Sequence, residues 1–347
     1  MKRSIPALLA GAALVLAFAR PAAAGESFGD AVVAQQHGDY ATAARIWRAL
    51  AENGAVDAQY DLGVLYASGL GVPRDYGLAA QWYRRAATSG NADAQSNLGL
   101  LYANGLGVPQ DYAEAARWYR EAVSHDNAQA KFNLGVLYDH GLGVPADKRQ
   151  ALNLYHAAAN QGLAAAQCNL GLMYASGTGV AQDYTKAAAW YRRAAAQGDA
   201  AAQFNLGLLY ETGQGQPQDY AAARAWYARA ADQGNAAARL NIGTMYAEGR
   251  GAPRDDAAAV VWYRQAAEQG SVQARLNLGL MYAGGRGVPQ DYVQAHRWLN
   301  LAATDRGAGA DPGTRDRAIR ARNGLAAQMT PDQLAEAQKL AGQDTAK

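Results

Sequence analysis

Few residues in this chain are of types that do covalent chemistry, and their spacing does not support it. There is one cysteine, Cys168, so neither a disulfide nor a cysteine zinc site can form within the chain. The histidines His37, His125, His140, His156 and His296 are scattered, and no HExxH motif occurs. Neither His140 nor His156 has a partner at ligand spacing, so no metal is expected. Walker phosphate loops and Ser-x-x-Lys nucleophiles are missing. The Gly-x-Gly steps fall between helical stretches instead of after a strand, which argues against a dinucleotide site. No catalytic residue and no cofactor are expected. Aspartates do recur, but each stands just before a helical stretch, where a carboxylate caps free N–H groups.

What does recur with chemical potential is an amide. Asn97, Asn133, Asn169, Asn205, Asn241 and Asn277 follow one another at intervals of 36 residues, with Asp61 in the first slot. The residue before each varies and is often apolar: Tyr60, Ser96, Phe132, Cys168, Phe204, Leu240, Leu276. A carboxamide both donates and accepts, so a row of them can hold an extended peptide backbone without reading its sequence. Phe132, Phe204 and Leu240 would then supply apolar pockets. The candidate partner-contacting residues are therefore Asn97, Asn133, Asn169, Asn205 and Asn241 with Phe132, Phe204 and Leu240. The same amides could instead bond the backbone of the adjacent repeat, and both uses stay open. Cys168 in the variable slot reads as a small apolar filler.

The elements that carry this row follow the same period. A Leu-Gly step recurs, as at Leu98-Gly99, with a tyrosine three residues on, as at Tyr102. Then come a Gly-x-Gly-x-Pro loop (Gly105 to Pro109), an aspartate (Asp111), an aromatic pair (Trp118-Tyr119) and, in most copies, a closing glycine such as Gly90. Each unit reads as two helices. Ala94, Leu98, Leu101 and Tyr102 share one face of the first, over 92–104. Gly99 within it would normally destabilise by about 1 kcal/mol, so its recurrence predicts a close helix crossing. Pro109 cannot continue the helix. Asp111 is a good N-cap for the second helix, with Glu114 at the capping-box position. Tyr112, Ala115, Tyr119 and Ala122 form that helix's apolar stripe. A pair of this size cannot bury two stripes alone, so neighbours must stack. The fold class is all-α: an α/α superhelical solenoid of 36-residue helix-turn-helix repeats with helical caps at both ends, elongated and curved.

The ends differ from the repeats. Lys2 and Arg3 precede an apolar run from Ile5 to Ala19, shorter than the ~20 residues of a membrane span. Small residues Ala22 to Ala24 follow, so residues 1–24 read as a signal peptide cleaved after Ala24. Residues 25–305 form the solenoid, its first unit (27–54) atypical, and 306–347 a loop and C-terminal helical cap. In that cap Ile319 and Leu325 point inward on a helix over 315–329. Pro331 opens a second helix with Leu334 and Leu340 apolar. Without Lys2, Arg3 and Arg20 the count is 29 basic to 30 acidic residues, so no basic stripe marks a nucleic-acid binder.

The pattern Ala-x-x-x-Leu-Gly-x-x-Tyr-x-x-Gly-x-Gly-Val-Pro-x-Asp-Tyr-x-x-Ala-x-x-Trp-Tyr-x-x-Ala-Ala-x-x-Gly resembles the Sel-1-like repeat family of the tetratricopeptide-repeat superfamily. The copy from Ala94 to Asp126 fits it apart from its last residue. Departures are Lys148 and Asp256 for a tyrosine, Leu154 for a tryptophan and Leu299 for the second aromatic. The resemblance implies that the first helices line an inner wall, with Ser96, Asn97, Leu100, Ala103 and Asn104 and their equivalents facing it. It implies a non-enzymatic scaffold or regulatory adaptor, such as one of the bacterial envelope, binding a protein or peptide partner on that wall, and the signal peptide adds the expectation that it is periplasmic or secreted. The expected partners include neither nucleic acid nor, once the signal is removed, the membrane interior, and the chain is expected to be a monomer. A secreted virulence factor binding host protein is the alternative. Some family members bind or hydrolyse β-lactams, but they carry a cysteine pair per repeat, and one cysteine in all does not match them.

Overall fold

The computed structural model describes residues 25–305, 307 and 311–345. The expected signal peptide, residues 1–24, lies outside them. The described residues form eighteen α-helices and no strand. They fall into two compact units, one up to Ala146 and one from Asp147. The first holds α1 (Phe28–Gln36), α2 (Tyr40–Glu52), α3 (Val56–Ser68), α4 (Tyr76–Thr88), α5 (Ala92–Asn104), α6 (Tyr112–Ser124) and α7 (Ala128–His140). The second begins with α8 (Lys148–Asn160), α9 (Ala164–Ser176), α10 (Tyr184–Ala196), α11 (Ala200–Thr212) and α12 (Tyr220–Asp232). It continues through α13 (Ala236–Glu248), α14 (Asp256–Glu268), α15 (Val272–Gly284), α16 (Tyr292–Thr304), α17 (Pro312–Ala326) and α18 (Pro331–Thr345). Within each unit successive helices pack on one another, as a solenoid requires.

The local rules are visible in the pair α5–α6. Gly105 ends α5 in the left-handed conformation at φ 66°, which a residue without Cβ adopts freely. Asp111 then caps α6 by accepting from the backbone N–H of Ala113 and Glu114 at 2.9 and 3.0 Å. The reciprocal half of the expected capping box does not form. The Asp111 N–H already donates to the Tyr102 carbonyl at 2.9 Å, and Glu114 pairs with Arg117 at 2.8 Å instead. After α6, Asp126 stands where other repeats have glycine and takes the same left-handed turn at φ 64°.

The Leu-Gly glycine marks the close crossing. A Cβ on Gly99 would lie 2.7 Å from the Tyr119 ring of α6, and Gly63, Gly171, Gly207 and Gly243 meet Tyr83, Tyr191, Tyr227 and Tyr263 in the same way. Where Leu299 replaces the aromatic, a Cβ on Gly279 would lie 2.7 Å from that leucine's Cγ. These tyrosines are core residues. The second glycine of each loop does more than end a helix. A Cβ on Gly107 would lie 2.2 Å from the Tyr76 carbonyl carbon, at the start of the preceding second helix. Loop and helix therefore meet backbone to backbone at this step.

The ends are built as caps. Ser27 and Asp30 form a full capping box at α1, and Ile46 and Trp47 of α2 are buried in the first core cluster. Helix α17 starts at Pro312, ahead of the expected 315, because Asp311 caps it through the Thr314 N–H at 2.7 Å. Ala318 and Leu325 join Leu276, Ala295 and Leu299 in one cluster, with Ile319 partly buried against it. In α18 the buried residues are Ala337 and Ala341, while Leu334 and Leu340 are half-buried.

Candidate interaction surface

Each asparagine of the row sits half-buried on the first helix of its pair. In unit one, Asn97 on α5 is a hydrogen-bond partner of the Tyr83 hydroxyl on α4 and of Tyr60 on α3. Asn133 on α7 partners Tyr119 on α6 and accepts from Gln129 Nε2 at 3.0 Å. In unit two, Asn241 on α13 partners Tyr227 on α12, and Asn277 on α15 partners Tyr263 on α14. Asn169 and Asn205 hold the same half-buried position on α9 and α11. In these four repeats the amide meets the hydroxyl of the tyrosine beneath the Leu-Gly crossing. Burial pushes these hydroxyls well above the ordinary tyrosine range, and the asparagine works against that rise.

One turn further along the same face stand leucines that are unusually exposed. Leu100 in unit one and Leu172, Leu208 and Leu280 in unit two are 44, 45, 39 and 47% exposed. Helices α9 and α11 touch directly, which sets Leu172 and Leu208 on neighbouring first helices. A lone exposed leucine needs no explanation, whereas exposed leucines on adjacent first helices make a candidate interaction surface. Of the predicted apolar residues, Phe132 is half-buried on α7. Phe204 packs inward, its ring 5.5 Å from that of Tyr227. Leu240 is half-buried beside Asn241.

Leu240 and Asn241 border a cavity of about 710 Å³ in unit two. It opens between α13 and α15, with Thr244, Tyr263, Asn277 and Leu280 on its wall and Glu248, Arg254, Arg286 and Arg317 around it. Arg254 and Arg286 reach Asp256 at 2.7 and 3.3 Å. Arg317, from α17, donates to Gln273 Oε1 at 2.8 Å and to Thr314 Oγ1 at 3.3 Å. Sequence reasoning did not assemble these arginines, because two lie in loops and the third lies beyond the repeats.

Two further rows escaped it. Gln59, Gln95, Gln167 and Gln203 are buried and donate to the carbonyls of Ala51, Ala87, Ala159 and Ala195 at 3.1 to 3.3 Å. Arg239 and Arg275 take over that joint to Ala231 and Ala267. Arg48, Arg84, Arg120 and Arg264 donate to the hydroxyls of Tyr66, Tyr102, Tyr138 and Tyr282 at 2.5 to 3.2 Å. His156 stands in that slot against Tyr174 at 3.2 Å. Both rows follow the period and could have been found by it.

Residues of chemical type are placed structurally. The run Gly25-Glu26-Ser27-Phe28-Gly29 has the spacing of a nucleophile elbow, which needs a turn from strand to helix. Ser27 instead caps α1, its Oγ donating to Asp30 at 2.8 Å. Cys168 is buried, and desolvation with Asp199 nearby pushes its thiol up to about 12, so the reactive thiolate is suppressed. Among the described residues no group of three or more His, Cys, Asp or Glu side chains could hold a metal. No helix there is long and apolar enough to cross a membrane.

Helix pairs that repeat at a fixed period and stack on one another within each unit define an all-α repeat protein. The Sel1 repeat matches residues 56–91, 92–127, 128–163, 164–199, 200–235, 236–271 and 272–305. The chain belongs to the Sel1 repeat family, whose members are generally protein–protein interaction scaffolds and whose fold is typically non-catalytic. It is similar to a Sel1 repeat protein from Oxalobacter formigenes, with 36% identity and a TM-score of 0.62 over 81% of this chain and 85% of that one. It is also similar to a protective antigen of uropathogenic Escherichia coli strains displaying an SLR fold. There the identity is 31% and the TM-score 0.58, over 92% of this chain and 75% of that one. No curated protein matches the chain.

Proposed function

We propose that this chain is a scaffold or regulatory adaptor of the bacterial cell envelope, working in the periplasm after removal of residues 1–24. It holds a protein partner along the exposed face of its first helices. The observation that carries this reading is the recurrence of exposed Leu100, Leu172, Leu208 and Leu280 beside a half-buried asparagine row. Such a face presents apolar anchors next to amides that can share their remaining donor or acceptor with a bound backbone. Asn97, Asn133, Asn169, Asn205 and Asn241 contact the partner where their tyrosine bond leaves capacity. The test is photocrosslinking in cells from residue 208 and, as a control, from residue 189, an exposed position on α10. Discrete adducts from 208 alone support the reading. Adducts from 189 alone would move the interaction to the second helices.

A second reading is an outward-facing role, in which the chain is released and meets host protein. What favours it is the likeness to a protective antigen present in uropathogenic strains. Fractionation decides between the two: recovery from the culture medium supports release, and recovery from the periplasm supports the adaptor.

A further inference from the structure

We propose that the cavity between α13 and α15 takes an acidic segment of the partner, with a carboxylate side chain seated among Arg254, Arg286 and Arg317. The proposal rests on the first-helix face as the partner's track and adds the chemistry of one stretch of it.

The argument begins with charge. Of the residues that line the cavity, three are arginines and one is an acid, Glu248. That acid is already ion-paired with Arg250 at 2.7 Å. Asp256 lies outside the lining and pairs with both Arg254 and Arg286, so one carboxylate serves two guanidinium groups. Arg317 is held by neutral oxygens of Gln273 and Thr314, and Asp311, the cap of α17, lies near enough to feel its charge. A guanidinium has five N–H donors in a fork that fits a carboxylate. Positive charge and donors are therefore in excess here, in a chain whose basic and acidic residues nearly balance, 32 to 30.

The arginines are also held in place. Gln273 accepts from Arg317 and Thr314 through Oε1 while its Nε2 donates to Asn277 at 2.7 Å. Asn277 in turn partners Tyr263, whose hydroxyl donates to Thr244 at 3.2 Å. This chain of bonds ties the arginine of the C-terminal cap to the amide row, so little side-chain freedom remains to be lost on binding. The rest of the wall selects against a nucleic-acid backbone. Leu240, Leu280 and Met281 line the same space, which suits a peptide alternating acidic and apolar residues. The charge is confined to one cavity and does not run as a stripe.

The experiment uses the full mature chain and three labelled peptides of equal length, alternating leucine with glutamate, glutamine or lysine, read by fluorescence anisotropy. The Leu/Glu peptide is expected to bind roughly tenfold tighter than the Leu/Gln peptide, with Leu/Lys weakest. That gap should close in the double variant Arg254→Gln, Arg286→Gln while Leu/Gln binding is unchanged. Arg317→Gln is made separately, with melting curves, because that residue also anchors α17. Equal binding of Leu/Glu and Leu/Gln, or a gap that survives both sets of variants, overturns the proposal. In that case Leu/Gln binding abolished by Leu280→Asp leaves the first-helix track standing. Binding of no peptide removes both ideas. Tighter binding of a single-stranded oligonucleotide than of Leu/Glu overturns the proposal in favour of a nucleic-acid site.

Discussion

Asp61 is the acid in an otherwise amide row, and it carries a penalty that asparagine does not. Burial, with Asp57 adding to it, pushes its carboxyl up to about 6 from 3.8. The folded state therefore keeps a proton that the unfolded chain has lost, and stability falls as pH rises from about 4 to about 6. At pH 7 the loss is at most about 3 kcal/mol, lowered by solvent screening of this half-buried group. Asp61→Asn should recover up to that amount at neutral pH and nothing below about pH 4, where both states are protonated. Denaturant titrations at the two pH values check this, and a gain independent of pH would remove ionisation as its cause. The same scale separates the two uses of the asparagines. Asn97→Ala strips the buried Tyr83 hydroxyl of its amide and should cost about 1–3 kcal/mol. Leu208→Ala, at a site 39% exposed, should move stability by less than about 0.5 kcal/mol yet weaken a partner. Melting curves measured beside partner affinity test the pair. An unchanged melt for Asn97→Ala would mean the tyrosine bond contributes nothing.

At the scale of elements, glycines do three different jobs. Gly90 ends a helix at φ +88° and a methyl placed there would meet nothing, whereas Gly107, at φ +67°, would drive one to 2.2 Å from the Tyr76 carbonyl carbon. Gly99 lets the Tyr119 ring lie against the helix. Alanine at Gly90 meets only the backbone preference, about 1–2 kcal/mol. Alanine at Gly107 adds an overlap with backbone, which cannot rotate away, and should cost about 3 kcal/mol or more. Thermal or urea denaturation of Gly90→Ala and Gly107→Ala ranks them. Equal losses would show that the loop can draw back from the preceding helix at little cost.

For the whole molecule, the governing fact is that contacts are local. In unit two, α10 packs on α11, α11 on α12 and α12 on α13. Removing residues 200–235, one full repeat, brings α10 against α13 with equivalent residues on both sides. A shorter chain with unchanged helical circular dichroism per residue is expected. Loss of cooperative unfolding would show that distant repeats depend on one another. The division between the two compact units falls at Ala146, in the repeat whose second helix has Lys148 for tyrosine and Leu154 for tryptophan. The repeat period itself runs through that point without an insertion.

The period, the helix pair, the caps and the close crossing at Gly99 could all be read from the residues, because each follows from rules acting within one repeat and written seven times. The bonding partner of Asn97 could not. Tyr83 is on another helix, and which side chains meet across a crossing depends on how the helices pack. For the same reason the box expected of Glu114 failed, since the Asp111 N–H had been taken by the Tyr102 carbonyl. The arginine cavity was hidden more completely. Arg254 and Arg286 are loop residues with no periodic signal, and Arg317 arrives from α17, outside the repeats. Only the docking of the C-terminal cap on the last repeat brings the three to one cavity, because side chains far apart in sequence share a site only after the intervening helices have packed.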